Sequence, residues 1–151
     1  MTARVSDLDA HLGYWLRFVS NHVSQSFARR LQDRDVTVAE WVAMRRLFDE
    51  AGVAPSLLAE RIGMTRGAIT KLADRLIDKE LVARRPDPQD GRAQILVLTA
   101  RGRALVPELA ALADDNDAEF FRSLTAQERR GLRRLLERLV DQNELKIVPV
   151  D

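Results

Sequence analysis

Cysteine is missing from all 151 residues of the chain. Disulfide cross-links, thiolate catalysis and thiol oxidation sensing are excluded with it. No apolar run approaches the ~18 residues that a membrane span requires. The N-terminus does not set a basic segment before an apolar one, so no signal peptide is expected, and a soluble cytoplasmic protein is. Glycine-rich phosphate loops and spaced His/Glu metal motifs are also lacking, and no catalytic constellation emerges. His11 and His22 fall on one predicted helix ~16 Å apart at 1.5 Å per residue, too far to share an ion. Asp7 and His11, four apart, have no second cluster to complete a metal site. The expectation is therefore no enzyme, no metal and no cofactor. Internal repeats, low-complexity linkers and Gly/Ser/Pro-rich boundaries are absent, so 1–151 reads as a single unit.

What is present is a well-mixed, foldable composition. Hydrophobic residues make up 46% and charged residues 31%, which suits one compact domain or two small lobes sharing a core. Net charge is only +1, but its distribution is uneven. Residues 61–103 hold ten Lys/Arg against five Asp/Glu, whereas 1–60 hold seven against eight and 104–151 seven against ten. Localised basic charge is the electrostatic footprint of nucleic-acid backbone binding. Chance clustering on a solvated face gives the same counts, so a motif must decide.

Hydrophobic periodicity supplies the elements. Leu8, Leu12, Leu16, Val19, Val23, Phe27 and Leu31 recur at three- and four-residue steps, predicting one long amphipathic helix over 7–32. Thr37 with Glu40 is a capping-box signal for a second helix with Trp41, Val42, Met44, Leu47 and Phe48 on its apolar face, ended by Gly52. Pro55 and Ser56 open a short third helix. Gly63 sits where a tight corner needs positive φ, and Thr65 suits the N-cap of a fourth. Strands are expected at 81–85 and 93–98, joined through Asp90-Gly91. Thr99 caps a fifth helix, with Pro107 either in its first turns or kinking it, and Asp114–Asp117 either a loop or an exposed helical face. Thr125 and Glu128 form a second capping box, opening a sixth helix with Leu132, Leu135, Leu136, Leu139 and Val140. The last residues, 146–151, read as extended. The fold class is mainly α with a small β-hairpin wing: a winged helix-turn-helix over 36–99, flanked by long helices over 7–32 and 100–145.

Two segments carry the chemistry. Ile69, Leu72, Ala73 and Leu76 form the buried stripe of the fourth helix, leaving Arg66, Gly67, Thr70, Lys71, Asp74 and Arg75 outward. Small and polar first, then basic, such a face fits a major groove, where Arg or Lys reads guanine and Thr meets a hydroxyl partner or a thymine methyl. Thr65 reads equally as a cap or as a contact. In the hairpin, Arg84, Arg85 and Arg92 crowd a solvent-facing turn that has no folding need for guanidinium groups, and Arg suits phosphate oxygens and a narrow, negative groove. Arg84 and Arg85 lie on the strand stems, where phosphate or internal acidic partners are expected. The long first and last helices exceed what a helix-turn-helix needs, and a second copy of the chain most simply covers their apolar faces. Two-fold pairing would set two recognition helices ~34 Å apart on a near-palindrome.

The chain resembles the MarR family of bacterial transcriptional regulators along nearly its whole length. The resemblance rests on Thr37–Trp41 (TVAEW), Leu58-Ala59 with Gly63-Met64-Thr65, and Asp74, Leu76, Lys79, Leu81 and Val82. Its most specific part is Asp87-Pro88-Gln89-Asp90-Gly91-Arg92, followed by Leu96, Leu98, Thr99 and Gly102. It implies a triangular homodimer joined through the first, fifth and sixth helices, the fourth helix in the major groove and the wing arginine in the minor groove. On this basis Arg92 is the wing-tip arginine and Asp90 its brace. Gly91 stands where many relatives carry a charged or larger residue. The DNA-contact set expected is Thr65, Arg66, Gly67, Thr70, Lys71, Arg75, Arg84, Asp90 and Arg92.

The resemblance also implies a small aromatic effector between the two lobes, with His11, Trp15, Trp41 and Arg45 as its expected contacts beside Tyr14 and Phe18. An aromatic pocket with a His or Arg handle suits an anionic aromatic ligand, although aromatics at helical spacing are more often core. The expected function is a ligand-responsive regulator, a repressor, binding double-stranded DNA as a homodimer, with no membrane involvement. The competing class is a winged-helix protein-interaction module without specific DNA binding, which the basic segment and wing arginines disfavour.

Overall fold

The computed structural model describes residues 2–146, so the extended tail expected over 146–151 lies, beyond Lys146, outside the described residues. The helices are α1 (Leu12–Gln32), α2 (Val38–Phe48), α3 (Pro55–Ile62), α4 (Arg66–Asp78), α5 (Ala100–Phe120) and α6 (Ala126–Gln142). Between α4 and α5 lies a hairpin of β1 (Val82–Pro86) and β2 (Gln94–Leu98). This is the mainly helical winged fold that the periodicity predicts.

One boundary moves. The first helix, expected from residue 7, begins at Leu12. Leu8–Ala10 instead form a single tight turn, and His11 is extended at φ −101°, ψ 125°. Leu8 and Leu12 are 72% and 81% exposed, so no packing holds residues 7–11 to helical periodicity. The Trp15 indole N–H donates to Asp9 O at 2.9 Å and fixes the turn against the start of α1.

The helix-turn-helix is assembled by local chemistry. Thr37 and Glu40 make the full capping box of α2. That helix ends at Phe48, before Gly52, so Gly52 is not its terminator. A Cβ on Gly52 would lie 2.3 Å from Ile95 Cδ1, so the loop passes close against β2 there and a larger residue would have to move the end of the Ile95 side chain. Pro55 occupies the first turn of α3, where its missing N–H costs nothing. Gly63 takes φ 73° and turns the chain, and the Thr65 hydroxyl accepts from the Ala68 N–H at 3.1 Å to start α4. The strands pair antiparallel from Val82↔Leu98 to Pro86↔Gln94, and Val53 adds a bridge to Leu96 on the open side of β2.

Leucine-threonine-x-x-glycine, residues 98–102, has a packing explanation. Thr99 Oγ1 donates to Glu80 O at 2.7 Å and accepts from the Gly102 N–H at 3.0 Å. A Cβ on Gly102 would stand 2.1 Å from the Leu81 carbonyl oxygen, so α5 can cross there only on glycine. The helix then runs through Pro107 to Phe120, with Asp114–Asp117 inside it. The Asp114–Asp117 alternative thus resolves as helix, and Pro107 stands inside α5 as its eighth residue.

The core gathers Met44, Leu47, Leu58, Ile62, Leu72, Leu76 and Leu96, each at most 2% exposed, with Val106 and Leu109 of α5 and Leu31 of α1. Leu31 is the only buried residue of α1, and no residue of α6 is buried. A polar cluster joins α1 to α5. Buried Asn116 donates to Val23 O at 3.2 Å and accepts from Ser26 Oγ at 2.7 Å and Arg30 Nε at 3.2 Å, while Arg30 also pairs with Glu119.

Candidate nucleic-acid interface

The buried stripe of α4 is Ile69, Leu72, Ala73 and Leu76, as the periodicity requires. Arg66, Gly67, Thr70, Lys71, Asp74 and Arg75 are all exposed. Among the described residues, Arg66, Lys71 and Arg75 have no acidic partner within 4 Å, so their charges are open to solvent or to a polyanion. The Thr70 hydroxyl donates to Arg66 O at 2.9 Å, which leaves its methyl and lone pairs facing outward. Thr65 is occupied as the N-cap. Gly67 has open space around its would-be Cβ and no positive φ, so neither packing nor backbone demands glycine there. The lack of a side chain lets another surface approach the first turn of α4 closely.

The wing is braced by its own carboxylates. Asp87 Oδ1 accepts from the Gln89 N–H at 2.9 Å, and Asp90 Oδ1 from the Arg92 N–H at 3.1 Å. Backbone bonds from Asp87 N to Ala93 O and from Ala93 N to Asp90 O close the tip. Asp90 thus braces Arg92 through its backbone N–H. Among the described residues, the Arg92 guanidinium has no carboxylate within 4 Å. Gly91 has φ outside the positive range and empty space around it, so the tip does not depend on glycine.

Arg84 has the internal acidic partner that is one of its two expected alternatives. Its Nη2 pairs with Asp74 Oδ1 at 2.8 Å, tying the first strand of the wing to the outer face of α4. Part of its charge is spent inside the protein, as its place on the strand stem allows.

The expected effector contacts do not converge within one chain. Trp15 and His11 lie at the start of α1, whereas half-buried Trp41 packs edge-on against Phe27 with ring centroids 6.3 Å apart. Twelve residues of helix separate Trp15 from Phe27, ~18 Å of rise. Arg45 is engaged by Asp49 at 2.7 Å and stacks over Phe48 at 5.8 Å. An open groove of about 720 Å³ lies elsewhere, between α5 and α6, lined by Asp117, Phe121, Arg129, Arg133, Leu136 and Val140 among others.

Periodicity and motif overlooked one group beside the interface. Glu40 is fully buried and bound to Lys79, the residue that ends α4. A capping-box glutamate normally faces solvent. The sequence signal that distinguishes this one is a lysine at a helix C-terminus with no acidic residue three or four positions before it, where Arg75 and Leu76 stand.

Residues 36–93, from the end of the α1–α2 turn to the wing tip, match the model of the MarR family. The HTH-type transcriptional repressor Rv2887 of Mycobacterium tuberculosis is 34% identical over 131 residues, covering 87% of this chain and 94% of that protein. Among solved structures, an Escherichia coli MarR variant complexed with operator DNA superposes with a TM-score of 0.78 at 28% identity, over 85% of this chain and 93% of that one. A structure of Bordetella bronchiseptica BpsR, whose DNA binding is regulated by 6-hydroxynicotinic acid, superposes with a TM-score of 0.80 at 25% identity, over 91% of this chain and 99% of that one. On the family model, the identity to Rv2887 and these superpositions, the chain belongs to the MarR family and is a DNA-binding transcriptional regulator.

Proposed function

We propose that the chain is a homodimeric, ligand-responsive repressor that reads a near-palindromic operator. Residues 36–99 form its DNA-reading lobe, and 7–32 with 100–145 its dimer lobe. The observation that carries the reading is the set of exposed, unpaired cations: Arg66, Lys71 and Arg75 on the outward face of α4, and Arg92 at the wing, whose first strand Arg84 ties to that face through Asp74. The α4 cations enter the major groove with Thr70 and Gly67, Thr65 contributes its cap position, and Arg92 reaches the adjacent minor groove. Asp90 and Arg84 act by holding the wing. Phosphate neutralisation by Z cations makes log affinity fall with log salt at a slope of about −0.9Z. A gel-shift titration against the DNA upstream of the chain's own gene, repeated across salt, tests this. A steep negative slope with preference over scrambled duplex is expected, and a flat slope would refute DNA reading by this face.

Response to a ligand follows from differential affinity. A small aromatic acid that prefers a dimer with altered recognition-helix spacing weakens operator binding by its preference for that form. The BpsR relative, whose DNA binding is regulated by 6-hydroxynicotinic acid, supports that ligand class. His11, Trp15, Trp41 and Arg45 remain the proposed contacts, on the condition that a second chain brings the start of α1 to them. Loss of aromatic-acid release in Trp15→Ala and Arg45→Ala is expected, and unchanged release in both removes these residues from the site.

A further inference from the structure

The C-terminal end of the recognition helix is held by a buried charge. Lys79 caps α4, and its ammonium reaches back across the core to the first turn of α2 and the turn before it. Nζ donates to Asp35 O at 2.7 Å and to Glu40 Oε1 at 3.1 Å, and lies 3.0 Å from Glu40 Oε2. Glu40 is 0% exposed, and Oε2 has no directed hydrogen bond, so the ammonium is its sole charge partner among the described residues. Oε1 also accepts from the Thr37 N–H at 3.2 Å, and Asp35 takes φ 54°, a left-handed conformation that its bond from Lys79 helps to hold. Each charge also suits its own helix: the carboxylate sits at the N-terminus of α2 and the ammonium at the C-terminus of α4.

We propose that Lys79, clamped by Glu40 and the Asp35 carbonyl, is a positioning residue for DNA reading. It pins one end of α4 to the corner where α1 hands over to α2 and sets the pitch at which the free end meets the groove. Thirteen residues make α4 ~20 Å long, so a tilt of about 10° about the pin moves its first turn by ~3 Å, enough to part Arg66 and Thr70 from base edges. The clamp touches no DNA. A buried pair adds little net stability over an apolar pair of similar size, which allows positioning to be separated from folding. The inference rests on the DNA-reading role given to α4 above.

The test removes both charges together, because Lys79 replaced alone would strand a buried carboxylate. Glu40→Gln with Lys79→Met keeps an acceptor for the Thr37 N–H and most of the lysine stem. The probes are the duplex that the wild type selects from a pool of genomic fragments and a scrambled duplex of equal length. The expected result is a thermal midpoint close to wild type, unchanged affinity for the scrambled duplex and a roughly tenfold fall in preference for the selected one, the size of one lost base contact. Glu40→Gln alone, which can still accept from Lys79, is expected to keep most of the preference. A folded double variant with full preference overturns the proposal. Should that pair fail to fold, Glu40→Leu with Lys79→Met carries the same expectation and the same reversal. If the wild type selects no fragment, the operator reading fails on its own. Amide exchange at residues 76–79 of the free protein then decides the clamp, faster exchange in the double variant supporting it and equal exchange overturning it.

Discussion

At the scale of single residues, side chains that the fold uses can be told apart from those it leaves free. Arg92 is the clearest free one, because Asp90 holds its backbone and no carboxylate holds its guanidinium. Arg92→Ala should weaken operator binding by ~1–3 kcal/mol and lower the salt slope by about one contact, measured by fluorescence titration. Unaltered affinity at physiological salt would remove the wing from DNA reading. Two glycines make the opposite contrast. Gly102 faces backbone: a Cβ there meets the Leu81 carbonyl at 2.1 Å, and neither side can yield. Gly102→Ala should destabilise the fold by ~1–3 kcal/mol, as overpacking does, and a denaturant midpoint equal to wild type would contradict that geometry. Gly67 faces open space in a helix, so Gly67→Ala should leave stability equal or raise it by ~0.5–1 kcal/mol, yet weaken DNA binding by obstructing close approach. Tighter or unchanged binding by that variant would mean that nothing approaches α4 at its first turn.

At the scale of elements, α6 shows how a helix can rest on its cap. None of its residues is buried, so its N-terminal capping box carries weight that packing carries elsewhere. Bonds from the Thr125 N–H and hydroxyl hold the Glu128 carboxyl below the usual glutamate range. A carboxylate with a lowered folded-state value contributes stability that is complete above its unfolded value and is lost as pH falls through the folded one. The helicity of α6 should therefore decline on acidification below the ordinary glutamate range. Glu128→Gln keeps the capping bonds and should remove that acid-sensitive part; a variant with the same pH profile by circular dichroism would rule Glu128 out as its source. Elements were the most legible level in the sequence. Thr37, Thr65, Thr99 and Thr125 each mark a helix start, Gly63 marks a corner, and the α4 stripe is buried in full. What stayed hidden depends on partners distant in sequence. Periodicity cannot show that residues 7–11 lack a core to face, that Glu40 is buried beneath Lys79, or that Arg84 answers Asp74. Nor could it show that Gly52 serves packing against Ile95 instead of ending α2. The exposed cations of α4 were legible because they alternate with a buried stripe on one helix. How the expected effector residues are placed was not, because it depends on a tertiary or quaternary arrangement that spacing along α1 does not encode.

At the scale of the whole molecule, a single chain leaves too much apolar surface in water. Leu12, Trp15, Leu16, Phe18 and Val19 of α1 are 41–81% exposed, and Leu132, Leu135, Leu136, Leu139 and Val140 of α6 are 36–54% exposed. Stable monomers rarely carry contiguous apolar patches beyond a few hundred Å². Both faces lie away from the core that holds α2, α3, α4 and the wing, on α6 and on the N-terminal half of α1, so covering them leaves the unpaired cations of α4 free. A two-fold dimer joined through these faces would bury each residue twice over, once on each chain. Leu136→Glu would then place two carboxylates in an apolar seam, a change expected to cost several kcal/mol of association. The variant should keep its helical content, since Leu136 is not core, but sediment as a monomer at concentrations where the wild type is a dimer. Its preference for a two-half-site operator should collapse towards that for a single half-site, because the second recognition helix is no longer delivered with the first. A variant that sediments as a dimer and binds the full operator as wild type does would place the seam away from α6, and with it the spacing change proposed for ligand release.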